Sequence, residues 1–325
     1  MTKRIRDAGL VPVVKLDRAE DAVPLAKALK AGGLDTVEVT FRTAAAAAAI
    51  KAIAAADRQM LIGAGTILSV DQAQAAVAAG AHFVVCPGFD PKVVDWCIDH
   101  QVPVFPGTSN PSEVSAGLAR GLTTLKFFPA EQSGGVSMLN ALAGPFPQVQ
   151  FMPTGGISEA NLGSYVRLKN VAACGGSWMV KPELVAAHDW EGITGLCRKA
   201  VAALHGFTFN HLGLNHADAA AGQRTTGLLS LLGFPVTKDG ASSFFCGNGG
   251  GDFFEVMKKP FLGTHGHVSL KTWNIDRALS YLAKQGFTPR LDDSAKWAGE
   301  PGNSPLLVVY LEPEVGGFAI HLNQA

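Results

Sequence analysis

The sequence predicts an α/β protein in two parts: a (β/α)8 barrel of the TIM type over residues 1–205, followed by a smaller α+β domain over residues 206–325. Three observations carry this. Between Leu10 and His205, short apolar or β-branched runs alternate with Ala-rich helical runs eight times, and Gly or Pro punctuates most joints. The unusual polar residues of that stretch fall where the strand runs end, which is where such barrels keep their chemistry. Beyond His205 the rhythm changes to an internal repeat of one β run, one helical run and further β runs. A doubly wound parallel sheet is the alternative architecture for the first part.

The strands are expected at Val11 to Leu16, Thr36 to Phe41, Met60 to Ala64, His82 to Cys86, Val102 to Phe105, Thr123 to Phe128, Val149 to Met152 and Val171 to Cys174. Helices fill the intervals: Arg18 to Ala31, Ala44 to Ala55, Val70 to Ala79, Pro91 to His100, Pro111 to Arg120, Gly135 to Ala143, Ser158 to Leu168 and Trp190 to Leu204. Eight βα units in about 200 residues make a compact barrel.

Composition narrows the function. Hydrophobic residues make up 47% and charged residues 17% of 325 residues, which describes a globular chain with an ample core. Net charge is zero overall, +1 up to His205 and −1 beyond it, so no basic domain is available for a nucleic-acid backbone. Cys86, Cys97, Cys174, Cys197 and Cys246 are widely spaced and form no CxxC pair, which argues against a disulfide framework or zinc ribbon. No run is apolar enough to span a bilayer and the polar start lacks a signal peptide's apolar region, so a cytoplasmic protein without membrane partners is expected.

The chain's central oddity is Lys126, a single cation within the apolar run Thr124-Leu125-Lys126-Phe127-Phe128. It reads as a snorkelling edge residue, as a buried partner of a carboxylate, or as an amine nucleophile freed of its proton by desolvation and neighbouring cations. On strand two, period-two alternation puts Glu38, Thr40 and Arg42 on one face, opposite Val37, Val39 and Phe41. Strands two and six lie across the barrel from one another, and its interior is only wide enough for side chains to meet, so Glu38 and Lys126 are expected to face one small ligand. An ion pair filling the barrel end is the other reading of the same residues. Strand three leads into Gly65-Thr66, and strands four and five end in Cys86-Pro87-Gly88 and Pro106-Gly107-Thr108, turns that can wall a pocket. Strands seven and eight run into Thr154-Gly155-Gly156 and Gly175-Gly176-Ser177, read as two glycine turns with hydroxyls that can cradle a dianion on backbone amides.

The blocks VEVTFRT, GAGT, CPG, TLKFFPAE, GGV, AGPF, PTGGI and GGSW, in this order over residues 5–205, resemble the 2-dehydro-3-deoxy-6-phosphogluconate (KDPG) aldolases, a family also described as acting on 4-hydroxy-2-oxoglutarate (KHG). The resemblance implies a class I aldolase with no cofactor, cleaving a phosphorylated or dicarboxylic 2-keto acid to pyruvate and an aldehyde. It assigns Lys126 as Schiff-base lysine and Glu38 as general acid/base. Arg42 and Thr66 would hold the pyruvate carboxylate, Thr154, Gly155, Gly156 and Ser177 the phosphate, and Pro87 and Phe128 the apolar walls. Phe41 stands where many members have Leu, and Cys86 where Ser is common. A homo-oligomer, by analogy a trimer, is implied. A phosphate-binding barrel isomerase or synthase, with Lys126 electrostatic only, remains the rival.

In the second part, His211-Leu212-Gly213-Leu214, a helical stretch to Leu232-Gly233-Phe234 and Phe253-Phe254-Glu255-Val256 are echoed by His267-Val268-Ser269-Leu270, a helix to Gln285-Gly286-Phe287 and Phe318-Ala319-Ile320-His321-Leu322. Two βαβββ halves of this kind resemble the vicinal oxygen chelate, or glyoxalase-like, fold. The resemblance places metal ligands on the first and last strands of each half, here His211, Glu255, His267 and His321, a set suited to a divalent Zn, Ni, Mn or Fe. His321 stands where Glu is usual. The alternative is a degenerate domain that keeps these residues hydrogen-bonded and traps substrate, seals an oligomer or binds an effector, so the whole chain reads as an aldolase, or as a bifunctional or regulated one.

Overall fold

The computed structural model describes residues 1–251 and 253–325 and divides into two compact units, Met1–Leu204 and His205–Ala325. In the first unit the strands are all parallel: Leu10–Val14, Thr36–Thr40, Leu61–Gly65, Phe83–Val85, Val104–Phe105, Thr124–Phe127, Gln150–Pro153 and Cys174–Gly176. The fifth resumes as Gly107–Thr108 after Pro106, whose missing N–H interrupts the ladder. One sheet runs from the fifth strand back to the first and on to the eighth, and a second joins Gly107–Thr108 to the sixth and seventh. Single bridges, Phe151 to Val171 and Thr154 to Gly175, link the seventh strand to the eighth and close the (β/α)8-type barrel.

Several expectations about these strands need correction: the second ends at Thr40, which leaves Phe41 and Arg42 in a turn, and Gly107-Thr108 pairs with Lys126-Phe127 instead of turning. The eighth is Cys174–Gly176, not Val171 to Cys174, and Gly175-Gly176 belongs to the ladder rather than to a turn. Leu10, Val11 and Pro12 pair with Cys174, Gly175 and Gly176, so tertiary pairing overrides the weak strand preference of glycine. The first strand ends at Val14, two residues before Leu16.

Helix starts follow local chemistry. Ser69, Asp90 and Asn110 accept hydrogen bonds from the backbone N–H of Gln72, Lys92 and Glu113, and Pro91 and Pro111 open two helices whose first N–H would lack a partner anyway. A short N-terminal helix, Thr2–Ala8, carries Ile5 into a fully buried cluster with Val11, Leu61, Phe83, Val85, Phe105 and Met152. Those residues come from strands around the barrel, so the cluster fills its interior.

The second unit is a nine-stranded sheet with two helices, Ala219–Leu231 and Ile275–Ala283. Its order is Val236–Asp239, Ser243–Gly247, Phe253–Met257, Thr208–Leu214, Gly266–Thr272, Phe318–Gln324, Leu306–Val315 and Thr288–Arg290, with the short Lys296–Trp297 paired to Leu306–Val315. That order is palindromic. In each half the first strand pairs parallel with the last, and the two first strands meet antiparallel at the centre. Each half has its own core, Leu229, Phe244, Cys246 and Val256 in one and Ile275, Ala278, Leu306, Val309, Leu311 and Leu322 in the other. Among the described residues no helix is long and apolar enough to cross a membrane.

Candidate functional site

Every residue of the second strand is buried, so Glu38 can find room for its carboxylate only in the barrel interior. It is 0% exposed and Lys126 5%, and Lys126 Nζ lies 3.5 Å from Glu38 Oε1. Such a pair makes poor cement. The contact is long, and Glu38 Oε2 has no hydrogen-bond partner among the described residues, so the desolvation penalty is incompletely offset. Buried groups left in that condition mark chemistry more often than stability. Lys126 Nζ also lies 5.1 Å from the centre of the Phe128 ring. Gly65 supplies the space for the acid: a Cβ there would stand 2.0 Å from Glu38 Oε1. Burial pushes the nearby Cys86 thiol up to about 12, so it stays neutral.

The ten residues singled out in the barrel line one cavity of about 320 Å³: Glu38, Arg42, Thr66, Pro87, Lys126, Phe128, Thr154, Gly155, Gly156 and Ser177. Gly176, from the second glycine pair, lines it as well, and so do Val13 and Ile157, ordinary residues that barrel closure sets there. Thr66 has φ 58°, a left-handed conformation that a β-branched residue rarely holds. Gly155 and Gly156 are left-handed too, with φ 99° and 77°, the backbone from which successive N–H groups can converge on an anion. One polar cavity therefore contains an amine, a carboxylate, a guanidinium and a glycine turn with a hydroxyl on a neighbouring strand.

The second unit gathers its own polar cluster. One ligand atom from each of His211, His267 and His321 lies within 4.8 Å of the others, and all three residues are buried. Glu255 Oε2 is 3.3 Å from both His211 Nε2 and His267 Nε2, while Ser243 Oγ donates to its other oxygen at 2.7 Å. Burial would raise Glu255, but the hydrogen bonds from His211, His267 and Ser243 outweigh it and hold the carboxyl well below its usual range. Burial, with His267 and His211 adding, pushes His321 down to about 3, and its Nε2 has no partner among the described residues. An unpartnered neutral imidazole beside two more imidazoles and a carboxylate is a donor set that fits a divalent cation. Unforeseen from sequence, Asn210 and Asn323 both donate to Ser269 Oγ, at 3.0 and 2.6 Å, and Asn210 Nδ2 lies 3.1 Å from His211 Nδ1. A bulge between Phe209 and His211 brings Asn210 onto that face.

Fold and site together define the first unit as a barrel of the enzyme class, with a buried amine and carboxylate in one polar cavity. A family model described as KDPG and KHG aldolase matches residues 1–196. The 2-dehydro-3-deoxy-phosphogluconate aldolase of Treponema pallidum is 52% identical over 192 residues, 59% of this chain and 91% of its own length. The KHG/KDPG aldolase of Escherichia coli K12 is 46% identical over 192 residues, 59% of this chain and 90% of its own. Among solved structures, the KDPG aldolase of Legionella pneumophila, with pyruvate captured as a covalent carbinolamine, is 41% identical at a TM-score of 0.60, covering 62% of this chain and 98% of that one. That of Zymomonas mobilis ZM4, with 3-phosphoglycerate, is 38% identical at 0.57, covering 61% and 93%. The chain belongs to the KDPG and KHG aldolase family.

Proposed function

We propose that the first unit cleaves KDPG to pyruvate and glyceraldehyde 3-phosphate, and KHG to pyruvate and glyoxylate, through a Schiff base on Lys126. The observation that carries this reading is the 3.5 Å approach of Lys126 Nζ and Glu38 inside a cavity that also holds Arg42 and the Gly155-Gly156 turn. The amine adds to the C2 carbonyl and Glu38 protonates the carbinolamine hydroxyl, which leaves as water. The iminium then draws electrons from the C3–C4 bond as Glu38 takes the proton of the C4 hydroxyl, and the aldehyde departs. Glu38 returns that proton to C3 of the enamine, and water releases pyruvate and the free amine. Arg42 and Thr66 hold the keto-acid carboxylate, Thr154, Gly155, Gly156 and Ser177 the phosphate, and Pro87 and Phe128 wall the pocket. The carbinolamine in the Legionella relative and the phosphorylated acid in the Zymomonas one support both halves of this assignment.

Borohydride reduction with excess pyruvate, followed by peptide mass spectrometry, tests it. An adduct on Lys126 is expected; folded protein without one would promote a phosphate-binding isomerase or synthase instead. On the family resemblance we read the assembly as a homotrimer, which light scattering checks.

The second unit, residues 206–325, reads as a glyoxalase-like domain in which His211, Glu255, His267 and His321 hold a divalent cation. Its support is the convergence of those four side chains and the palindromic order of the sheet. Metal analysis of the full chain should find about one ion, lost in a His211→Ala/His267→Ala double variant, and metal-free wild type would sink the reading.

A further inference from the structure

The loop that follows the lysine strand reaches across to the glycine turn. Ala130 N–H donates to Thr154 O at 2.8 Å and Glu131 N–H to Gly155 O at 3.1 Å, so the ladder between the sixth and seventh strands continues past their ends. The Glu131 side chain adds a third tie. Its stem lies against Gly156, where a Cβ would stand 2.5 Å from Glu131 Cγ, and its Oε1 accepts a hydrogen bond from the phenol of Tyr165. Tyr165 is 1% exposed on Glu159–Val166, the helix that follows the turn. Gly135 closes the other side: a Cβ there would lie 2.9 Å from the Tyr165 hydroxyl and 3.3 Å from Glu131 Oε1. From the same helix Asn161 donates to Gly156 O at 3.1 Å and accepts from Ser158 N–H at 2.8 Å. The turn is thus held from the helix behind it and from the lysine loop beside it.

A carboxylate close to a dianion site costs affinity through like-charge repulsion, so its place there calls for another task. Here its oxygen is turned to a buried phenol, and neither Glu131 nor Tyr165 is among the cavity's lining residues. Burial and the Glu131 carboxylate both push the Tyr165 phenol up, so it remains a donor at working pH. We propose that Glu131, anchored on Tyr165, is a positioning residue that sets the Gly155-Gly156 turn for the substrate's phosphate, and so fixes the preference for phosphorylated over unphosphorylated 2-keto acids. This rests on the assignment of that turn and Ser177 to the phosphate. What the task needs from Glu131 is an acceptor oxygen, not its charge, so Gln can replace it.

The test is steady-state kinetics of the full chain on KDPG and KHG for Glu131→Ala, Glu131→Gln, Tyr165→Phe and Ser177→Ala, with borohydride trapping of pyruvate in each. Glu131→Ala and Tyr165→Phe should raise KM for KDPG on the order of tenfold, the usual scale for a lost hydrogen bond that leaves its buried partner unsatisfied, while KM for KHG and the Lys126 adduct hold within about twofold. Glu131→Gln, which keeps the acceptor and drops the repelling charge, should hold the preference for KDPG at or above the wild-type ratio. A general packing defect would raise both KM values together and overturn the proposal, as would no change in either. Tyr165→Phe removes a single oxygen and keeps the test open if Glu131→Ala does not fold. If Ser177→Ala separates the two substrates and Glu131→Ala does not, the positioning role alone fails; if neither does, the phosphate assignment falls and takes this inference with it.

Discussion

A methyl group at Gly65 probes the acid/base assignment without replacing a reacting residue. Gly65→Ala would put Cβ 2.0 Å from Glu38 Oε1, 2.6 Å from its carboxyl carbon and 2.7 Å from Cγ. Carbon and oxygen do not tolerate less than about 3 Å, so the carboxylate must withdraw by roughly 1 Å, in a site where a 1 Å misplacement costs on the order of 10²-fold. The expected fall in kcat is therefore about 10²-fold, or about 2.7 kcal/mol of barrier. Stability should change less, because an overpacking cost of about 1–3 kcal/mol is partly offset by the stiffer unfolded chain. The assay is pyruvate release coupled to lactate dehydrogenase, with borohydride trapping alongside to establish that Lys126 still forms its imine. Wild-type kcat in a folded Gly65→Ala protein would mean that the carboxylate can leave its place freely, and Glu38 would lose its role.

Lys126→Met should abolish turnover and trapping with the fold intact, and residual turnover at the wild-type rate would refute the imine. Thr66→Gly relieves a left-handed β-branched residue, a strain of about 1 kcal/mol partly offset by glycine's looser unfolded chain. Resistance to urea should hold or rise while keto-acid binding weakens, and a clear loss of stability would contradict the strain. Burial, with Arg277 and Lys284 adding, lowers His205 to about 4. Its unfolded value is about 6.5, so between the two the unfolded chain binds a proton that the folded one refuses. The stabilisation is complete above about pH 6.5 and lost towards pH 4, by up to about 1.4 kcal/mol per pH unit. Urea unfolding at pH 6.5 and 4.5 should give a shallower pH slope in His205→Phe than in wild type, and equal slopes would rule the histidine out.

Much of the barrel and its chemistry was legible because the decisive residues are misfits where they stand. Lys126 breaks an apolar strand and Glu38 falls on the inward period of another, so type, spacing and barrel topology brought them to one interior, while Arg42 reaches the same cavity from the turn after Thr40 rather than by strand alternation. The eighth strand was misplaced because Val171 to Cys174 has the better local preference, whereas Cys174–Gly176 is held by pairing with Leu10, Val11 and Pro12, residues distant in the chain. Glu131 escaped for a similar reason: its partner Tyr165 lies 34 residues on, and neither looks unusual in its own segment. In the second unit the four candidate ligands could be located on their strands, but Asn210 reaches their face only through a bulge, which leaves no local trace.

The palindromic sheet has a mechanical consequence. His211 and Glu255 belong to one half of the second unit and His267 and His321 to the other, and the halves join along Thr208–Leu214 and Gly266–Thr272. The cation proposed for these four side chains would be a rivet through that seam. Neither half supplies more than two of its points, so removing the ion would loosen the joint between the halves before either hydrophobic core, and the amides whose exchange speeds up most should be those that bridge the two central strands.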